Sequence, residues 1–188
     1  MYGIDKFRQC LGGHLTSRFK LAVPALARPQ TRPDTGMASK KVILDEDEAV
    51  AIAGRAKTVA VLGIKTEYQA SQPAYFVADY LHGRGIKIIP VPVFYPEATH
   101  ILNAPVVRDL RAIREPIDIL DVFRKPSDLP AHLEDILALR PPVVWLQSGI
   151  RNPEFERALL DAGVAVVADR CLKVDRAAWD RLSPQSSL

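Results

Sequence analysis

The sequence predicts a doubly wound α/β sandwich, a parallel five-stranded sheet with helices on both faces. Two observations lead there. Five short runs, at residues 58–62, 86–91, 117–122, 143–146 and 164–168, are almost wholly apolar, as strands covered on both faces are. Between them lie stretches whose apolar residues recur at helical spacing, with start and stop signals of their own.

The elements follow in order. Asp45 caps a helix whose first turn is acidic (Glu46, Asp47, Glu48), favourable at the positive end of a helix dipole, and Gly54 closes it. After the first strand a second helix starts near Pro73, carries Phe76, Val77, Tyr80 and Leu81 on one face, and stops at Gly83 or Gly85. The second strand leads into the proline-rich connection PVFYPEATHILNAPVV and a short helix around residues 108–113. The third strand precedes a helix opened by Pro130, with Leu133, Ile136 and Leu137 on one face, ending before Pro141. The fourth strand is followed by Asn152-Pro153, a strong helix start, with Phe155, Ala158 and Leu159 running towards Gly163. A last amphipathic helix follows the fifth strand and holds Ala177, Ala178, Trp179 and Leu182. Trp145 and Trp179 read as core aromatics.

Composition bounds the function. The chain has 188 residues, 48% hydrophobic and 25% charged, enough for one full-sized core. No apolar run approaches the roughly 20 residues of a membrane span. Cys10 and Cys171 lie far apart, which suggests neither a disulfide framework nor a cysteine-rich zinc site and fits a reducing cytoplasm. The net charge of +3 divides unevenly: residues 1–36 hold six Lys/Arg and two Asp/Glu, and the remainder holds 19 and 20. A domain so balanced lacks the field of a nucleic-acid binder. Residues 1–36 have no sustained period and read as a disordered extension, and Met37-Ala38-Ser39 resembles an ordinary protein start, so the folded domain is expected at 37–188.

In a doubly wound sheet the ligand lies beyond the carboxyl ends of the strands, at the switch point beside the first strand. Four of the five strands are followed by cations: Lys65, then Arg124 and Lys125, then Arg151, then Arg170 and Lys173. Helices also begin at this edge, so an anion held by backbone N–H groups, Thr66, Ser148 and guanidinium groups would resolve the repulsion. The competing explanation pairs these cations with acids. Gly63 is placed for close backbone approach to phosphate, or for a plain tight turn. The positions expected for the second and third glycines of a dinucleotide fingerprint hold Lys65 and Tyr68, and the second strand ends in Val91-Pro92-Val93-Phe94-Tyr95 rather than in an acid. That neutral, partly aromatic rim suits adenine or pantetheine better than a nicotinamide ribose.

The blocks VAVLGIK, SQPAYFVADYLHGRGIKIIPVPV, IDILDVFRKPSDLP, VVWLQSGI and VVADRCLKVD resemble the small stand-alone CoA-binding domains, which are similar to the CoA-binding domain of the succinyl-CoA synthetase α-subunit. The resemblance spans about residues 45–180 and implies a Rossmann-like domain that binds coenzyme A or an acyl-CoA. The site positions it implies are Gly63, Ile64, Lys65, Thr66, Pro92, Val93, Phe123, Arg124, Gln147, Ser148, Gly149 and Ile150. Where the family form after the second strand is closer to VNP, this chain has VPV, and its first loop carries Lys65 and Glu67. The synthetase's phosphohistidine and nucleotide-binding domain have no recognisable counterpart.

Catalysis is not expected. Cys171, flanked by Arg170 and Lys173, is the one candidate nucleophile, weighed against a thiol packed at a strand end. His14, His82, His100 and His132 show no metal-ligand spacing. Asp118, Asp121 and Asp169 read as loop anchors accepting backbone N–H bonds, with ligand orientation as the alternative for Asp121. The reading is a cytoplasmic CoA-binding module without turnover. Its rivals are an NAD(P)-dependent oxidoreductase or redox sensor, and a phosphate-binding regulatory domain acting through a protein partner. Neither nucleic acid nor membrane is an expected partner, and homo-oligomerisation stays open.

Overall fold

A computed structural model describes residues 42–182; the extension expected at residues 1–36 lies outside them. Helix α1 (Glu46–Arg55) precedes strand β1 (Thr58–Leu62), followed by α2 (Pro73–Gly83) and β2 (Lys87–Val91). A hairpin of β3 (His100–Ile101) and β4 (Ala104–Pro105) leads to β5 (Ile119–Val122) and α3 (Leu133–Leu139). Then come β6 (Val143–Leu146), α4 (Pro153–Asp161), β7 (Ala165–Val167) and α5 (Leu172–Leu182). The main sheet has five strands in the order β2-β1-β5-β6-β7, all parallel. Ile43 adds a parallel bridge to Val167.

Alternation along each strand divides the core. Val59, Val61, Ile88, Ile119, Trp145 and Val167 face α1, α2 and α5, where Ala49, Ala53, Ala78, Leu81 and Leu172 meet them. Ala60, Leu62, Ile89, Leu120, Val144 and Val166 face Ile136 of α3 and Phe155 and Leu159 of α4. With apolar residues on both faces, the strands have no polar alternation to show in sequence. This is a Rossmann-like α/β sandwich.

Local signals account for the helix ends. Asp45 accepts from the Glu48 N–H at 2.9 Å, and Asn152 accepts from the Phe155 N–H at 3.1 Å, both as N-caps. At Gly54 a Cβ would fall 2.0 Å from the Trp179 indole, so this glycine lets α1 and α5 lie close. Trp145 is fully buried, as expected, whereas Trp179 is half-buried between the helices.

Two expectations are corrected and one element was not foreseen. The helix expected from Pro130 is a 3₁₀ turn over Pro126–His132, and α3 begins only at Leu133. The bonds there close over three residues, the Asp128 N–H donating to the Lys125 carbonyl and the Leu133 N–H to the Pro130 carbonyl. The short helix near residues 108–113 is a single 3₁₀ turn, Leu110–Ala112, capped by Asp109, which accepts from the Arg111 N–H at 2.8 Å. The hairpin was not foreseen: its turn is made by Leu102 (φ 52°) and Asn103 (φ 60°), and an unsignalled left-handed Leu is held by the Glu67 carboxylate, which accepts from its N–H at 2.8 Å.

Candidate functional site

The order β2-β1-β5-β6-β7 puts the reversal of strand direction-of-growth between β1 and β5, so the crevice beyond Leu62 and Val122 is where a ligand is expected. Gly63 leaves β1 with φ 88°, and a Cβ there would lie 2.5 Å from the Phe123 carbonyl oxygen. Its first requirement is therefore the turn and the neighbouring chain itself. Ile64 (1% exposed) and Thr66 (6% exposed) turn inward, and the Thr66 hydroxyl donates to Oε1 of Gln69 at 2.6 Å. Lys65 reaches out instead: its Nζ donates to the Tyr95 hydroxyl at 3.2 Å and stands 5.3 Å and 5.4 Å from the ring centres of Phe94 and Tyr95.

From β5, the Arg124 guanidinium lies 5.5 Å from the same Phe94 ring, and its Nη2 donates to Asp128 at 2.8 Å. Its Nε is buried without a hydrogen-bond partner. Beyond β2, Pro92 is buried, while Val93 and Phe94 are exposed. Arg108 fastens this segment, its Nη2 donating to the carbonyls of Tyr95 at 2.8 Å and Ala98 at 2.5 Å. Under the segment opens a cavity of about 410 Å³ walled by Leu62, Val91, Pro92, Val93, Pro96 and Leu110, with Arg108, His132 and Asp135 as its polar lining. Burial and the nearby Arg124 charge hold the His132 pKa below the ordinary histidine value.

The cations beyond β6 and β7 behave otherwise. Arg151 makes a two-pronged bond to Glu156, at 2.8 and 2.9 Å, and Arg170 makes one to Asp175, at 2.8 and 2.7 Å. Both carboxylates are nearly fully buried in the first turn of a helix. Burial opposes ionisation of Glu156, but the bonds from Arg151 and the Asn152 N–H outweigh it and hold the pKa below the usual carboxylate value. The pairing explanation therefore holds for Arg151 and Arg170.

Gln147 is buried and donates to Asp121 at 2.7 Å, so its amide is spent inside the sheet. Ser148 is exposed, the Gly149 N–H (φ 80°) donates to Asp169 at 2.7 Å, and Ile150 is half-buried. Asp169 is thus an anchor, as is Asp118, which accepts from the N–H groups of Lys57 and Thr58 at 2.8 and 2.9 Å. Asp121 accepts not from a loop N–H, as expected, but from the side chain of Gln147, the first residue beyond β6. It is fully buried, accepts from a side chain, and keeps Oδ2 unpartnered. Burial pushes its pKa up to about 7 against the lowering effect of the Gln147 bond.

Cys171 is half-buried at the start of α5. The cations expected to activate it are engaged elsewhere: Arg170 on Asp175, and Lys173 over the rings of Phe76 and Tyr80, at 4.9 and 5.4 Å. Among the described residues no group of three or more His, Cys, Asp or Glu side chains is arranged to hold a metal ion. Likewise no described helix is long and apolar enough to cross a membrane.

Of the residues expected at the site, Gly63, Lys65, Pro92, Val93, Phe123 and Arg124 gather around the crevice of β1, β2 and β5. Phe94 and Tyr95, read in the sequence as part of an aromatic rim, join them, as do Arg108 and His132, which were not expected at the site. The aromatic pair was visible in VPVFYP, but the part played by Arg108 depends on carbonyls 10 to 14 residues away in sequence.

Topology and layers define a doubly wound, Rossmann-like α/β domain. Residues 57–177 match the CoA binding domain family, and the chain belongs to it. It is 35% identical over 123 residues to "Uncharacterized protein YneT" of Bacillus subtilis (strain 168), covering 65% of this chain and 87% of that one. It is also similar to the solved structure of cell-free ID.343 from Thermus thermophilus, at 46% identity and a TM-score of 0.65, covering 72% of this chain and 99% of that chain. A hypothetical protein from Pyrococcus horikoshii OT3 shares 25% identity at a TM-score of 0.64, covering 80% and 98%.

Proposed function

We propose that residues 37–188 form a cytoplasmic module that binds coenzyme A or an acyl-CoA across the carboxyl ends of β1, β2 and β5 and performs no turnover of its own. One observation carries this reading. Two cations from different strands, Lys65 and Arg124, converge at the switch point near the cavity walled by Leu62, Val91 and Pro92, and the Lys65 ammonium is paired with no carboxylate among the described residues. An ammonium resting on aromatic rings and a guanidinium with a buried, unpartnered Nε fit a phosphate-bearing ligand. The walls at Leu62, Val91, Pro92 and Val93 fit its uncharged portions. The absence of turnover is read from Cys171, whose neighbouring cations are committed to other partners.

Calorimetry on the full chain with CoA, acetyl-CoA, NAD and NADP tests the reading. CoA binding with NAD weaker or silent is expected; NAD binding without CoA binding overturns it. Arg124→Ala should weaken CoA about tenfold, the value of one charge-assisted phosphate contact, and weaken dephospho-CoA less. Equal losses would show that Arg124 does not read the 3′-phosphate.

A further inference from the structure

Phe94 is 55% exposed at the mouth of the crevice, where neither core cluster includes it. The chain does not leave it there through slackness. The next residue, Tyr95, has φ 65°, a conformation an aromatic residue rarely adopts. Arg108 holds that geometry by donating to the carbonyls of Phe94 at 3.4 Å, Tyr95 at 2.8 Å and Ala98 at 2.5 Å. Tyr95 supports the ring edge-on, with centres 6.4 Å apart at 75°. The backbone is thus constrained to present an apolar ring to solvent between cations from two other strands, Lys65 at 5.3 Å and Arg124 at 5.5 Å.

A constrained, solvent-facing ring beside two phosphate-seeking cations matches a ligand with a flat aromatic base and phosphates attached to it. We infer that Phe94 is the platform on which the purine base of the ligand stacks, and that Lys65 and Arg124, which flank the ring, are the groups that hold the attached phosphates. This assignment rests on the CoA reading above and names the residue that selects the nucleotide half of the ligand over the pantetheine half. It treats the VFY segment following β2 as the feature that compensates for the missing acid and missing glycines of a nicotinamide site.

The test titrates CoA and 4′-phosphopantetheine into the full-length wild type and into Phe94→Ala, Phe94→Leu and Phe94→Trp, with thermal unfolding of each unliganded variant as the control for folding. Phe94→Ala and Phe94→Leu are expected to lose about tenfold or more in CoA affinity, the usual effect of removing one base-stacking ring, with unfolding temperatures unchanged. Phe94→Trp should retain CoA, and its added indole should be quenched by CoA and not by 4′-phosphopantetheine. Undiminished CoA binding by Phe94→Leu, or the absence of CoA-specific quenching, overturns the assignment while leaving the CoA reading standing. If the wild type binds no CoA, the CoA reading fails first and this assignment with it.

Discussion

At the β6 and β7 ends of the sheet, arginines are clamped onto buried carboxylates; at the β1 and β5 ends, cations rest on an exposed ring. Arg151–Glu156 and Arg170–Asp175 each close a loop against the first turn of the helix that follows it. They use both prongs of the guanidinium, and the carboxylate side chains are only 3% exposed. Lys65 has one hydrogen bond, to a phenol, and Arg124 one carboxylate partner that is 37% exposed. A row of cations at strand ends is therefore two populations. One completes the fold by offsetting buried acids, and the other keeps charge available at the switch point.

Breaking the clamped half gives the largest effect. Asp175→Ala leaves the Arg170 guanidinium, itself only 21% exposed, facing an emptied partner site, and should cost about 3 kcal/mol in urea unfolding. A loss below about 1 kcal/mol would move Arg170 into the same class as Lys65. CoA affinity, measured well below the unfolding transition, should change little.

Asp121 sits at the seam between the two halves, on β5 between Val61 and Trp145, and gives the next largest effect. Its carboxyl has a pKa raised from 3.8 to about 7 in the folded chain. At low pH it is protonated in both states. As pH rises the unfolded chain ionises first, so stability is lost from near pH 4 until the folded group also ionises, and then levels off. The full shift corresponds to at most about 4 kcal/mol, and about 2 kcal/mol is expected once the sheet relaxes around the charge. Asp121→Asn keeps an oxygen to accept from Gln147 and removes the ionisation. Its stability should stay flatter between pH 5 and 8, overtaking the wild type at the upper end. Parallel pH profiles for the two proteins would show that the carboxyl ionises without cost.

The smallest stability effect belongs to the unclamped half. Lys65→Ala should leave unfolding within about 0.5 kcal/mol of the wild type, since its ammonium is tied to no acid among the described residues, while CoA affinity falls about tenfold. A loss of stability without a loss of affinity would invert the comparison.

These differences also mark what could be read in advance. The strands at β1 and β6, the cap at Asp45 and the start at Asn152-Pro153 were legible because each depends on neighbours a few residues apart. The 3₁₀ turn at Pro126–His132 was misread because the apolar face of Leu133, Ile136 and Leu137 was extended back to Pro130, where the chain is still 3₁₀. Gly63 was read for its openness, whereas the structure fills that space with the Phe123 carbonyl, 60 residues on in the chain.

By itself the sequence determined the doubly wound class, because apolar runs and helix caps are local statements about burial and backbone. It also supplied the blocks that carry the family resemblance. Only the tertiary structure separated the cations clamped on buried acids from those at the switch point, since Arg151 and Arg170 look no different from Lys65 and Arg124 until α4 and α5 bring Glu156 and Asp175 to them. It alone showed that the Gln147 amide, one residue beyond β6, donates to Asp121 on β5. Charge in a sequence is a count, whereas its availability depends on burial and on the partner that folding places within about 3 Å.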